Sequence, residues 1–538
     1  MTTDMAARTR DWALALTACR SVTGTAEEAA FGPWLAERLR TAGTFGAAEI
    51  WTFPVAKDDA RHCVAMLLRR SGRATVILTG HYDTVTCDDY GNLAPLAFAP
   101  EALTEALLVR LKASAESPAE RLALKDLESG DFLPGRGLLD MKAGLAAGLA
   151  VAEDFAVRAV RAGASGNILF VAVPDEEATS VGARAAAAAL QGIAKERGLE
   201  ITAAINLDAI ADTGDGSAGR AIALGTVGKV LPTAFVAGVP THSGFPYNGI
   251  NAAVLLAAIC ARVEWAPELT DDTAGQPGTP PSLLSIKDGK VGYDVTTPAT
   301  GFAAWNVLFH LRSPKEILVA FEGLCRAAVQ SCLADLAERA GRNRLPGGAT
   351  LPEVRVLRYG VVLDAARRRC DIDGKLASLS ATLAETSLSL PERCGRATAL
   401  VWQESGLQGP AVVIGFGSIP YLATHLSTSV AAHRLEEVVR KVARDHETVA
   451  VTDYFAGISD MSFFGEAAES DLDPVAANTP LWGTAIRWPV GGALAQVPTV
   501  NIGPWGRDYH TPLERLHVGY AFGQLPGLIK AVVDRILA

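Results

Sequence analysis

Cysteine is scarce in this chain, 8 in 538 residues. No two cysteines stand in a Cys-x-x-Cys spacing, so neither a zinc ribbon nor a dithiol redox site is written into the sequence. Thiols scattered through a long chain without a secretory signal are expected to stay reduced and to fill core space. Charge is sparse as well: Asp, Glu, Lys and Arg make up 20%, with 49 basic against 59 acidic side chains and a net of −10. There is no extended Lys/Arg-rich run. That balance speaks against a nucleic-acid partner and against an anionic membrane surface. No apolar run reaches the ~18 residues of a spanning helix. Met1-Thr2-Thr3-Asp4-Met5 continues into Arg8-Thr9-Arg10 rather than into the apolar core of a signal peptide. The expectation is a soluble, cytoplasmic protein without a membrane partner. What is present is apolar mass, 49% of the residues, which excludes a disordered chain.

The pattern of that apolar mass indicates an α/β body. After an N-terminal helical region to about Arg40, three continuous apolar runs read as buried strands: Ala74–Leu78, Asn167–Val173 and Ile201–Leu207. Helical segments fall between them, Met141–Val160 and Val181–Arg197, so the sheet should be covered on both faces. A different texture begins near Gly225. Val230–Val239, Ala303–Leu311 and Val354–Tyr359 read as strands, and Gly249–Trp265 and Ser313–Ala340 as helices. This grouping predicts a small inserted α+β domain whose Pro/Gly-rich stretch Gly275–Pro281 is a loop. From about Val361 the α/β texture returns, with Ala411–Gly415 as a strand and His433–Arg444 as a helix.

Acids and imidazoles cluster where these strands end. His81 and Asp83 follow the run that ends at Leu78, and positions two apart in an extended segment face the same side, so Asp83 can orient His81. Asp140 sits in a turn that leads into a helix, where an N-cap is the plain alternative. Glu176 and Glu177 follow the strand 167–173 through Pro174-Asp175, and Asp208 ends the strand 201–207. A solvated loop and a turn are the plain alternatives there. His510 falls in Gly503-Pro-Trp-Gly-Arg-Asp-Tyr-His510. Taken together these residues have a common meaning, because ligand sites of α/β sheets lie beyond the carboxyl ends of the strands. Imidazole with carboxylate oxygen suits zinc, and also manganese or cobalt. One carboxylate shared by two ions, plus two further ligands for each, accounts for five residues and leaves Glu176 as a spare base.

In their order, Gly80-His-Tyr-Asp-Thr-Val85, Gly137-Leu-Leu-Asp-Met-Lys-Ala-Gly144, Pro174-Asp-Glu-Glu177, Asn206-Leu-Asp208 and the late Gly503-Pro…His510 resemble the M20 metallopeptidase/amidohydrolase family. The segments Asn501–Thr511, Gly457–Met461 and Asn306–Pro314, with the unusual length, resemble its arginine-utilisation RocB-type branch most. The resemblance implies a zinc-peptidase-like catalytic domain, with a mixed central sheet flanked by helices, in residues 1–224 and 361–538. It implies a ferredoxin-like lid and dimerisation domain in 225–360. It further implies two Zn2+ ions bridged by Asp140 and a water, with His81 and Asp208 completing one shell and Glu177 and His510 the other. Glu176 would be the general base, Asp83 would orient His81, and Asp460 would lend structural support. His242, in Gly238-Val-Pro-Thr-His242, resembles the lid histidine that holds the substrate carbonyl oxygen, across a homodimer in dimeric relatives. Asn306 and Arg312 are candidates for a substrate carboxylate, since guanidinium pairs with it bidentately. The implied activity is hydrolysis of an amide C–N bond in an N-acyl amino acid, a small peptide or an arginine-related amide.

Two stretches exceed the compact family pattern, Thr86–Pro134 and about Leu363–Leu426, and both are candidates for walling the pocket or covering the lid. A serine hydrolase is disfavoured, because Gly415-Phe-Gly-Ser-Ile-Pro420 lacks the Gly-x-Ser-x-Gly elbow. Pro420 also removes the last glycine of a dinucleotide fingerprint. A non-catalytic metal- or ligand-binding protein with the same fold is the remaining alternative. All five ligand positions and Glu176 are nonetheless present.

Overall fold

The computed structural model describes residues 2–56, 59–158, 165–212, 214–272, 278–342, 351–446, 448–486, 488 and 495–538. The chain divides into two compact units. One comprises Met1–Thr226, Thr424–Ala467 and Pro489–Ala538; the other comprises Val227–Ala423 and Ala468–Trp488.

The first unit is built on an eight-stranded mixed sheet. Its order is Glu49–Pro54, His62–Leu68, Ser165–Val173, Ser71–His81, Glu200–Asn206, Thr499–Ile502, Ala221–Ala223 and Ala450–Thr452. The four strands from Ser165–Val173 to Thr499–Ile502 run parallel. Their residues Val76, Leu78, Ile168, Phe170, Ile205 and Val500 have no exposure, which is why these runs show no alternation. Helix Ala143–Arg158 is buried continuously from Ala143 to Glu153. Its small residues permit close approach to the sheet: a Cβ on Gly144 would stand 2.0 Å from the Leu207 carbonyl oxygen. The end of the expected segment Met141–Val160, residues 159–160, lies outside the described residues. The N-terminal region is two helices, Thr2–Ala18 and Ala26–Thr41, rather than one. The break falls at Gly24, with φ +77°, and at Thr25, which caps the second helix.

Thr86–Pro134 supplies helices Pro100–Ser114 and Pro118–Ser129 around a small core of their own, including Phe98, Leu103, Leu107 and Leu127. Ser117 and Glu120 form a capping box at the start of the second helix. The strand that follows, Phe132–Pro134, joins a four-stranded sheet with Arg515–His517, Trp505–Arg507 and Ile210–Ala211.

The second unit corrects the expected boundary at residue 361. Its sheet runs Ser282–Asp288, Thr300–Phe309, Pro232–Ala237, Ala411–Phe416 and Arg355–Arg358, with Gly228–Val230 paired to the end of Thr300–Phe309. Ala411–Phe416, expected in the catalytic body, pairs antiparallel with Pro232–Ala237. An apolar run buried on both faces reads the same in either sheet, so its partner was not legible. Val412 and Ile414 face helices Ala252–Val263 and Pro314–Arg342, whereas Val413 faces Tyr359–Arg367, Ile372–Ala384 and Leu390–Ser405. Residues 363–423 therefore form an added helical layer and a strand on this sheet. Part of the expected loop Gly275–Pro281, residues 275–277, lies outside the described residues. Helix Pro314–Arg342 is long and apolar enough to cross a membrane by length and composition, but Ile317, Phe321, Leu324 and Ala328 are buried in the core of this unit.

Candidate metal centre

Adjacent parallel strands deliver most of the candidate side chains to one edge of the larger sheet. His81 is the last residue of its strand and pairs in register with Val173, three residues before Glu176. Asp208 follows Asn206, which pairs with both Thr79 and Asn501. His510 lies on the connection between strands Trp505–Arg507 and Arg515–His517. Asp140 is extended (φ −112°, ψ 98°) just ahead of helix Ala143–Arg158, and its peptide bond to Met141 is cis. Gly503 must be glycine, because a Cβ there would lie 1.8 Å from the Asp208 carbonyl oxygen.

These residues converge around Asp140. Its Oδ1 is 3.1 Å from His81 Nε2, and its Oδ2 is 3.1 Å from His510 Nε2. His510 Nε2 also lies 3.0 Å from Glu177 Oε1, and His81 Nε2 lies 3.9 Å from Asp208 Oδ1. Two donor trios result, His81–Asp140–Asp208 and Asp140–Glu177–His510, each with its ligand atoms within 4.8 Å of one another. Glu176 belongs to neither trio and stands 4.0 Å from His81 Nε2. Asp140 contacts the two imidazoles, so the N-cap alternative does not describe it.

The contact between His81 and Asp83 is made chiefly through the backbone. His81 Nδ1 is 3.1 Å from the Asp83 carbonyl oxygen and 3.5 Å from its carboxylate. That carboxylate, fully buried, instead accepts hydrogen bonds from the amides of Glu176 (3.1 Å) and Glu177 (3.2 Å) and from the Thr23 hydroxyl (2.8 Å). It anchors the loop that carries both glutamates.

Without cations the centre is electrostatically crowded. Burial raises Glu176 well above the usual carboxylate range and raises Glu177. Burial, and then the Asp140 charge, pushes Asp208 up to about 8. Burial also pushes Asp460, 2% exposed and near both His81 and Asp83, up to about 7. For Asp140 burial acts in the raising direction, but hydrogen bonds from His510 and His81 outweigh it and hold the carboxyl well below its ordinary value. For the imidazoles burial acts in the lowering direction. Asp140 and Asp83 outweigh it at His81, held well above the ordinary value, and Asp140 and Glu177 push His510 up to about 10.

The other candidates belong to the second unit. His242 is exposed, and its Nδ1 accepts a hydrogen bond from the Gly244 amide at 3.0 Å. Asn306 is half-buried, on the face of its strand opposite Trp305 and Val307. Arg312 donates to the Glu268 carbonyl oxygen at 2.5 Å.

Two positioning residues escaped the sequence reading. Asn501 brackets the Asp208 backbone, accepting from its amide (3.0 Å) and donating to its carbonyl (2.9 Å). Asp175, at φ +70°, accepts hydrogen bonds from the amides of Thr179 and Val181 (both 3.2 Å) and from Arg61, closing the glutamate loop. The Pro-Asp pair of Pro174-Asp-Glu-Glu177 was the signal available in the sequence, since Asp tolerates the left-handed conformation and hydrogen-bonds its own turn.

The model of peptidase family M20/M25/M40 matches residues 115–476, more than half of the chain. The chain belongs to the M20 family. Among curated relatives, the protein YqjN of Bacillus subtilis is 29% identical over 96% of this chain and 94% of its own length. Protein RocB of the same organism is 28% identical over 97% of this chain and 94% of its own length, so the chain is RocB-like from end to end. Aminopeptidase PepT from Bacillus cereus aligns at TM-score 0.54 with 13% identity, covering 99% of each chain. The Bacillus subtilis YXEP protein, described as a dinuclear metal-binding peptidase of the M20 family, aligns at TM-score 0.52 with 10% identity, covering 99% of each chain. At such identities the likeness to the two solved structures is one of fold.

For an M20 chain the implied group is a pair of divalent ions, and the donor set fits it. The two oxygens of one carboxylate face different imidazoles, and each trio joins nitrogen to oxygen donors. Burial holds the carboxylates around them toward the protonated form, and cations would favour their charged form.

Proposed function

We propose that this M20 protein hydrolyses the amide C–N bond of an N-acyl amino acid, a small peptide or an arginine-related amide, with two zinc ions, or manganese or cobalt in their place. The observation that carries the reading is the pair of donor trios sharing Asp140, with Glu176 left over beside them. His81, Asp140 and Asp208 would hold one ion, and Asp140, Glu177 and His510 the other. Bound ions would supply Lewis acidity to the substrate carbonyl and make water more acidic.

The remaining work falls to the chain. Glu176 accepts the proton of the attacking water and returns it to the leaving amine. Asp83 keeps Glu176 and Glu177 in place through their amides. His242 donates to the charge developing on the carbonyl oxygen. Asn306 and Arg312 take the substrate carboxylate, Arg312 giving up its bond to the Glu268 carbonyl. The second unit serves as lid and dimerisation domain in a cytoplasmic homodimer.

The test is a screen of metal-replete protein against dipeptides, N-acyl amino acids and arginine-related amides, before and after chelation. Hydrolysis abolished by chelator and restored by metal supports the reading. A chain carrying two ions yet inert across the panel makes it a binding protein instead.

A further inference from the structure

We propose that the insert 86–134 is a clamp that positions His510, acting through Asp126 directly and through Asp89, which holds Arg136 just beyond the end of the insert. The inference rests on the reading of His510 as a metal ligand, and it gives the insert a role at the metal centre. His510 is carried by the connection between strands Trp505–Arg507 and Arg515–His517. Asp508 and His510 on that connection both have left-handed backbones (φ +54° and +62°), a conformation that Asp tolerates and that a histidine holds at a cost its surroundings must offset. The His510 side chain is itself substantially exposed, 42%, so burial of the ring does not hold it.

The constraint comes from the two ends of the connection, where both arginines converge on one carboxylate of the insert. Arg507 Nη1 donates to Asp126 Oδ1 and Oδ2 at 2.8 and 2.7 Å. Arg515 Nε donates to Asp126 Oδ2 at 2.8 Å. Arg515 Nη1 then reaches back to the Asp508 carboxylate at 2.6 Å and to the Leu513 carbonyl at 2.9 Å, closing the connection across its base. From the other side Arg136 donates to Glu514 at 2.9 Å and to both oxygens of Asp89 at 2.9 Å. Asp126, Arg136, Arg507, Glu514 and Arg515 are all buried. The backbone adds a second bond, as insert strand Phe132–Pro134 pairs with Arg515–His517. A buried carboxylate shared by two guanidiniums fixes direction as well as distance, because each guanidinium donates its N–H bonds within its own plane.

The clamp predicts an effect on one ion of the pair. Loaded full-length protein is equilibrated with graded chelator and the bound metal counted, for the wild type, Asp126→Asn, Asp126→Glu and His510→Ala. In Asp126→Asn one ion should be released about 10- to 100-fold more readily, the range found when groups that orient metal ligands are removed. The other ion should leave as in the wild type, and Asp126→Glu should recover part of the loss. His510→Ala should retain a single ion. Wild-type release of both ions from Asp126→Asn, with one ion lost from His510→Ala, overturns the clamp and leaves the metal reading standing. Weakening of both ions alike also overturns it, since that marks a purely structural network. Two ions held normally by His510→Ala refutes the metal reading itself. Should Asp126→Asn fail to fold, Arg507→Lys keeps the charge but loses the planar guanidinium that donates to Asp126 through Nη1 and to the Asp212 and Gly214 carbonyls through Nε and Nη2; it must show the same one-ion effect, and unchanged release overturns the proposal.

Discussion

Replacing Asp83 by asparagine tests the loop anchor at the smallest steric cost. In the native chain one carboxylate receives the amides of Glu176 and Glu177 on different oxygens, together with the Thr23 hydroxyl. Asparagine keeps one acceptor oxygen and turns the other into an NH2 group, so one backbone amide must face a donor. An unsatisfied buried donor costs about 1–3 kcal/mol, and the surviving bonds lose their charge assistance. A local penalty of about 3 kcal/mol corresponds to about 100-fold faster opening, at 1.4 kcal/mol per tenfold. Hydrogen–deuterium exchange read over the peptide 174–180 should report that acceleration, while peptides of the central strands Ser71–His81 and Ser165–Val173 change little. Turnover should fall with it, since Glu176 and Glu177 move with the loop. Exchange over 174–180 within threefold of the wild type would refute the anchor, and with it the idea that the carboxylate of Asp83 acts through the loop rather than through His81.

Glu176→Gln should keep its metal and lose about 10²- to 10⁴-fold in kcat, the usual worth of a positioned proton-transfer group; unchanged kcat removes Glu176 from the chemistry. His242→Ala should lower kcat with metal content intact, checked by parallel elemental analysis. Metal loading should release protons, because His510 in the metal-free protein titrates at about 10 and Asp208 at about 8, both above their unfolded values. Calorimetry near pH 7 in buffers of different ionisation enthalpy should find at least one proton released per loaded chain, and none would contradict it. Since both groups bind protons more tightly when folded, metal-free protein should lose stability as pH rises through about 8 and then about 10, seen as a falling melting temperature. Gly144→Ala should destabilise by about 1–3 kcal/mol or more through overpacking, because its Cβ would meet the Leu207 carbonyl oxygen at 2.0 Å; a neutral effect in urea unfolding would show that the helix can shift.

The buried strands were legible in the sequence because a strand covered on both faces must be apolar throughout. His81, Glu177 and Asp208 were legible because each closely follows such a run, whereas Asp140 and His510 were legible only through the order of the motifs that carry them. Two other things were not. The apolar run Ala411–Phe416 carries no mark of which sheet it joins, so residues 361–423 were expected in the wrong unit. Asn501 and Asp126 act on partners roughly three to four hundred residues away in sequence, contacts that no local spacing encodes. Asp83 stood between these cases: its nearness to His81 followed from period two, whereas its bonds to Glu176 and Glu177 depended on the register of the neighbouring strand.

The division of the chain also sets an order of assembly during synthesis. His81, Asp140, Glu177 and Asp208 all precede Val227, where the second unit begins, and His510 follows Trp488, where it ends. A ribosome that has released residue 226 has therefore already emitted one complete donor trio, His81–Asp140–Asp208, and only part of the other. The second trio waits for 284 further residues, from 227 to 510, the whole of the second unit among them. On the proposed ligand assignment a nascent chain would carry one donor trio long before it carries both, and truncation between residues 208 and 510 would leave the first trio alone.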